Sequence, residues 1–93
     1  MEHNLIAVEE FCTYYKVDLA FIEALHEVGL VEIVPVNESR FLPEQHLKEI
    51  EKMIRLYYEL DINIAGIDAI AHLLKRVHNL QQEITLLKNQ LHS

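Results

Sequence analysis

VEEFCTYYKVDLAFIEALHEVGL, residues 8–30, is the stretch that decides the fold. Val8, Phe11 and Cys12 stand at i, i+3 and i+4, the spacing of one helical face, so a short first helix is expected over Val8–Tyr15. A brief turn through Lys16 leads to Asp18, whose short carboxylate suits a helix N-cap, and a second helix is expected over residues 19–28. Leu19, Ile22, Leu25 and Val28 share one face of it. Gly29 then supplies the positive-φ residue at which helices commonly stop. Two short helices joined by a tight turn make a helix-turn-helix.

Downstream, residues 31–35 (VEIVP) and 40–42 (RFL) are rich in strand formers, with Asn37-Glu38-Ser39 between them. That spacing predicts a hairpin, a small wing. Pro35 lacks an N–H and so makes the wing an edge ribbon, not part of a larger sheet. Pro43 fits the first position of a third helix. Leu47, Ile50, Ile54, Tyr57 and Leu60 or Asp61 line its stripe, with Lys48, Glu49, Glu51, Lys52 and Arg55 facing away. Asp61-Ile62-Asn63 breaks the pattern, and Asn63 can cap a fourth helix opening at Ile64. Beyond Gly66 no glycine or proline interrupts the chain, so this helix can reach about His92, roughly 43 Å at 1.5 Å per residue.

Its second half has a stricter period. Ile70, Leu73, Val77, Leu80, Ile84, Leu87 and Leu91 alternate by three and four, an a/d heptad seam, flanked by Arg76, Gln81, Glu83, Lys88 and Gln90. A rod of that length cannot bury its seam against so small a head, so it needs a second copy of itself or a partner helix, and a second copy is expected; folding back onto the head is the alternative. β-Branched a positions with Leu at d favour parallel pairs in isolated coils, whereas the head can impose an antiparallel one, and both remain open. The expected architecture is mainly α: a winged helix-turn-helix head over residues 1–69, with a small β-hairpin wing, continuing into a coiled-coil dimerisation helix over residues 70–93.

Composition limits the chemistry. A single cysteine, Cys12, excludes an internal disulfide framework and a multi-thiolate zinc site. It reads as a small buried hydrophobe on the apolar face of the first helix. Of the six histidines, His72 and His78 are six residues apart and do not share a face as an i, i+4 pair would; His26, between Glu23 and Glu27, reads as a solvated helix polar. Gly29 and Gly66 stand alone, so no phosphate-binding loop exists, and no Ser/His/Asp constellation is supported. The expectation is a protein that is not an enzyme, with no catalytic residue, cofactor, metal or small-molecule substrate. Met1-Glu2-His3-Asn4 shows no basic segment before an apolar run, so no signal peptide is expected. No apolar stretch approaches the roughly 18 residues that span a bilayer. A cytoplasmic chain without membrane contact is the consequence. Among the aromatics, Phe41 and Tyr57 are expected inside the head. Phe21 and Tyr58 fall off the inward stripes and qualify as exposed anchors for a protein partner.

Charge then weighs against the obvious use of a helix-turn-helix. Such a unit reads bases with its second helix and grips phosphates with Lys and Arg around it. The net charge here is −7, from 15 acidic and 8 basic residues. Residues 1–39 hold Glu2, Glu9, Glu10, Asp18, Glu23, Glu27, Glu32 and Glu38 against Lys16 alone. Each phosphate contact needs a cation to release a counterion, and the second helix has none. Arg40, Lys48, Lys52 and Arg55, on the wing and third helix, could touch a backbone but would work against an acidic reading head. DNA binding is therefore not expected, and a basic protein surface is the better partner.

The order helix, turn, helix ending in Gly29-Leu30, wing, third helix and long coil resembles the head of the MerR superfamily over nearly the whole chain. Where those regulators carry V-S-x-R-T-L-R-Y-Y-E, this chain has Val17-Asp18-Leu19-Ala20-Phe21-Ile22-Glu23-Ala24-Leu25-His26. Ala20 and Glu23 stand at the two arginine positions, and Ala24-Leu25 at the aromatic pair. A closer resemblance is to the chaperone-modulator CbpM family, a short MerR-like branch. It rests on the early Glu10-Phe11-Cys12, the run Arg55-Leu56-Tyr57-Tyr58-Glu59-Leu60, the opening Asn63-Ile64-Ala65-Gly66-Ile67 and the Leu-rich tail from Leu80 to Leu91. This resemblance implies a homodimer that binds the J-domain of a DnaJ-like, CbpA-type co-chaperone. Binding would block stimulation of the DnaK-type chaperone and restrain the co-chaperone's own DNA binding. J-domains present a basic second helix, which an acidic competitor would match. The candidate contacts are Asp18, Phe21, Glu23 and Glu27 on the second helix, with Tyr58, Glu59, Asp61 and Asp68 around the turn into the fourth. A MerR-like DNA-binding transcription regulator is the alternative.

Overall fold

Four residues of positive φ, Lys16, Gly29, Asn37 and Asp61, punctuate the head. The computed structural model describes residues 4–92; Met1, Glu2, His3 and Ser93, which enter the readings of the N-terminus, the charge count and the domain ends, lie outside it. A strand, β1 (Leu5–Ala7), runs directly into α1 (Val8–Tyr15). Lys16 then turns left-handed, φ 57° and ψ 47°, and Val17 N–H donates to the Cys12 carbonyl at 3.0 Å. This six-to-one bond closes the helix and leads straight into α2 (Leu19–Glu27). Gly29, at φ 83°, repeats the device at the other end of α2, where Leu30 N–H donates to the Leu25 carbonyl at 2.9 Å. Both helices occupy their expected spans to within one residue.

The wing is present but larger than the sequence predicts. β2 (Val34–Val36) and β3 (Ser39–Pro43) pair antiparallel, with Val34 opposite Phe41, Pro35 opposite Arg40 and Val36 opposite Ser39. Asn37, at φ 57°, makes the turn, a conformation that Asn tolerates better than most side chains. Pro35 lies on an edge strand, as its missing donor demands. β1, which the sequence pattern does not reveal, pairs on the other side of β3, with Leu5 opposite Pro43, Ile6 opposite Leu42 and Ala7 opposite Phe41, giving the strand order β1-β3-β2. Pro43 is corrected by the same pairing. It ends β3 instead of opening a helix, and a single 3-10 turn (Glu44–His46) precedes α3 (Leu47–Ile54). Glu44 N–H ties that junction to the Asn4 carbonyl at 2.9 Å.

The expected stripe through Tyr57 and Leu60 also needs correction. After Ile54 the helix widens into one π turn (Arg55–Glu59), in which Leu60 N–H reaches back to the Arg55 carbonyl at 3.2 Å. The extra residue in the turn rotates the rest of the helix about its axis, and Leu60 ends up exposed. Asp61, at φ 55°, reverses the chain into α4 (Ile64–His92). Asn63 caps α4 as expected, its Oδ1 accepting from Gly66 N–H at 2.7 Å. Asn63→Ala leaves that donor unpaired and is expected to lower unfolding stability by about 1 kcal/mol in urea titration.

Val8, Phe11, Val17, Phe21, Ile22, Leu25, Val31, Leu42, Ile50, Met53 and Ile67 form the core. The inward face of α2 is thus Phe21, Ile22 and Leu25. Leu19 and Val28, expected inward, are exposed, and Phe21, expected outward, is only 4% exposed. The cause is the π turn, whose rings cover the Phe21 side of α2. Ile67 is the last buried residue of α4, and from His72 onward the helix is exposed. The stem stretches the molecule to 53 Å and its radius of gyration to 16.6 Å, against about 12 Å for a compact chain of this length. No helix among the described residues is long and apolar enough to cross a membrane.

Candidate functional site

The N-terminus of α2 and the π turn meet in an aromatic corner. Phe21 lies 4.6 Å from the Tyr57 ring centroid, tilted by 38°, and 5.4 Å from Tyr58 at 68°. Tyr57 and Tyr58 meet edge to face at 5.0 Å. Such offset and edge contacts use the ring quadrupoles, each worth about 0.5–1.5 kcal/mol beyond area burial. The Tyr58 hydroxyl accepts from Asp18 N–H at 3.1 Å, which fixes the helix start against the turn. The Asp18 carboxylate makes no capping bond and stays exposed beside the rings. Phe21 is therefore the buried floor of this corner and not an exposed anchor. Tyr57, expected inside, is partly open instead, and Tyr58 is 41% exposed.

Along α2, Glu23 and Glu27 both face solvent, one turn apart. Arg40 of the wing reaches across, its Nη1 donating to Glu23 Oε2 at 3.0 Å. The wing cation nearest the reading helix is thus already paired. His26 Nδ1 sits 2.9 Å from the Val31 carbonyl, which can only accept, so this nitrogen carries the proton. Cys12 lies within reach of the same charges. Burial pushes its thiol up, Asp18, Glu23 and Glu9 push the same way, and Arg40 opposes them. The thiol is held protonated, which is the state of a packing residue and not of a nucleophile.

Glu59 and Asp61 continue the acidic surface on the π turn and the link after it, both exposed. Asp68 follows on α4. It sits half-buried on α4, its Oδ1 3.2 Å from His72 Nδ1, whose proton goes instead to the Asp68 carbonyl at 2.8 Å. Glu51, expected to face away, is drawn in by the Tyr15 hydroxyl, which donates to its Oε2 and ties α1 to α3. That bond, more than burial, pushes the Tyr15 phenol up to about 12 from an ordinary 10.0. A raised phenol keeps the tie intact below its ordinary value and loses it only as pH climbs through the folded one. Among the described residues no group of three or more His, Cys, Asp or Glu is placed to hold a metal ion.

On the stem, Leu73, Val77, Leu80, Ile84, Leu87 and Leu91 are between 48% and 82% exposed. Ile70 is half-buried and lines a groove of about 500 Å³ with Met53, Leu56, Ile67 and Leu74 at the root of the stem. The seam read from the sequence is thus a continuous uncovered stripe beyond the head.

Helix-turn-helix, wing and projecting stem together define a winged helix-turn-helix protein of mainly α structure. The sequence profile described as MerR HTH family regulatory protein matches residues 6–89, from β1 to the far end of the stem. The chain belongs to that family. No curated protein and no solved structure matches it.

Proposed function

We propose that this chain is a non-enzymatic chaperone modulator of the CbpM type. In this reading it binds the basic J-domain of a DnaJ/CbpA-like co-chaperone in the cytoplasm and inhibits its co-chaperone activity. The observation that carries the reading is the second helix itself: it offers Asp18, Glu23 and Glu27 and no cation, beside the half-open Tyr57–Tyr58 pair. Aromatic anchors in a partly desolvated corner supply most of the affinity in protein interfaces, while acids around them set on-rate and partner choice. A J-domain with a basic second helix has the matching charge. A second copy of the chain covers the seam of α4, so that the working unit is a homodimer with two such corners.

DNA-binding regulation, the usual business of this fold, fits less well. Duplex binding draws its affinity from cations against phosphates, and here Arg40 is already engaged with Glu23. The test is a titration against a J-domain of the same cell, at low and at physiological salt. Saturable binding that weakens with salt is the expected result, and no binding even at low salt would remove the proposal.

A further inference from the structure

The contact between wing and reading helix bears on partner choice. We infer that Arg40 is a built-in competitor for the acidic face of α2, one that a partner must displace before it can use Glu23. This rests on the proposed reading of that face as a docking surface for a basic protein, and it adds what limits how strongly that surface binds. Three features carry it. The pair is close, Nη1 to Oε2 at 3.0 Å, yet both side chains are nearly half exposed, at 43% and 49%. A pair so solvated is worth little and exchanges readily. Arg40 is held by its strand, not by the ion pair. It sits on the central strand of the sheet, opposite Pro35, so the guanidinium remains beside α2 whether or not Glu23 is occupied.

Glu23 and Glu27 lie at i and i+4, about 5–6 Å apart between Cβ atoms on one face. With Arg40 in place only Glu27 of this pair is open to a partner. A partner with one scattered cation gains from Glu27 alone. A partner with two cations spaced one helical turn apart engages both acids, and its second cation replaces Arg40 on Glu23. The latch thereby lowers what a partner's second cation gains at Glu23, while Glu27 stays open to any cation.

The experiment compares dissociation constants for the J-domain of a DnaJ-type co-chaperone, measured by fluorescence anisotropy at fixed low salt. The proteins are the full native chain, Arg40→Gln, Glu23→Gln, the double variant, and Lys48→Gln as a control that removes a positive charge from the exposed side of α3. Arg40→Gln is expected to bind roughly two- to fivefold tighter than the native chain, the size set by an exposed ion pair. The gain should vanish in the Glu23→Gln background and shrink as salt screens the pair. Lys48→Gln should move the constant by less than Arg40→Gln does. Equal or weaker binding by Arg40→Gln, with the native chain binding well, overturns the competitor while leaving the docking surface intact. A gain that persists without Glu23, or is matched by Lys48→Gln, overturns it as well, since net charge then suffices. A native chain that binds no J-domain overturns both.

Discussion

Aspartate at both Leu80 and Ile84 is expected to leave a folded monomer, whereas the native chain is expected to be a dimer. These two residues stand at successive seam positions on the stem, each 52% exposed in the single chain. Burying a fully exposed leucine or isoleucine is worth about 1.5–3 kcal/mol, and about half of each remains to be covered here, so four such side chains per dimer carry roughly 3–6 kcal/mol of association. The substitution removes that gain and places four carboxylates against an apolar seam, where a charge without a partner costs several kcal/mol more. The head should not notice. Its last buried residue on α4 is Ile67, more than three turns earlier. Sedimentation equilibrium is the check: a halved mass with unchanged near-ultraviolet circular dichroism is expected. An unchanged mass would count against the seam as the interface.

Tyr58→Ala is expected to weaken J-domain binding by about 30-fold, the effect of losing an interface anchor worth about 2 kcal/mol. Two roles end together in this variant. The ring no longer lies against Phe21 and Tyr57, and Asp18 N–H loses its acceptor. Tyr58→Phe separates them, since the ring stays and only the hydroxyl goes. It should cost a few fold, the scale of one hydrogen bond of about 1 kcal/mol. Isothermal titration calorimetry with both variants reads the split directly. If Tyr58→Phe is as damaging as Tyr58→Ala, the hydroxyl's hold on the start of α2 matters more than the ring surface. If neither changes binding, the corner is not the contact.

Most of the fold was legible because the chain marks its own turns. Gly29, Asn63 and the Lys16–Asp18 turn end or start helices by local geometry, and local geometry is what a sequence displays best. The uncovered seam is equally plain, because a period of three and four repeated over seven positions marks one face of a helix for burial. β1 was not legible. Leu5-Ile6-Ala7 is too short to show an alternation and runs into α1 without a breaker, and its reason to be extended is Leu42, far along the chain. Pro43 was misplaced for the same reason, since a proline can open a helix or close a strand, and Leu5 decides between them.

The candidate site was half legible. Its acids could be read directly from α2, and their exposure follows from charge. Phe21 and Tyr57 were exchanged between surface and interior because the stripe of α3 was extended as a regular helix through a π turn. A signal was available: two adjacent tyrosines cannot both lie on one inward face of an α-helix, so Tyr57-Tyr58 already demanded something to cover the other ring. From the sequence Arg40 is only a wing cation that could touch a backbone. Its engagement with Glu23 depends on the placement of a hairpin against a helix, which no pattern of residue types encodes.

A parallel titration of the labelled native chain with a J-domain and with duplex DNA, across a salt series, separates the two uses of this head. Saturable J-domain binding that weakens as salt rises is predicted, with no duplex binding at physiological salt. Duplex binding with a log–log salt slope of several units, together with silence toward the J-domain, would contradict that prediction and return this acidic head to nucleic-acid recognition.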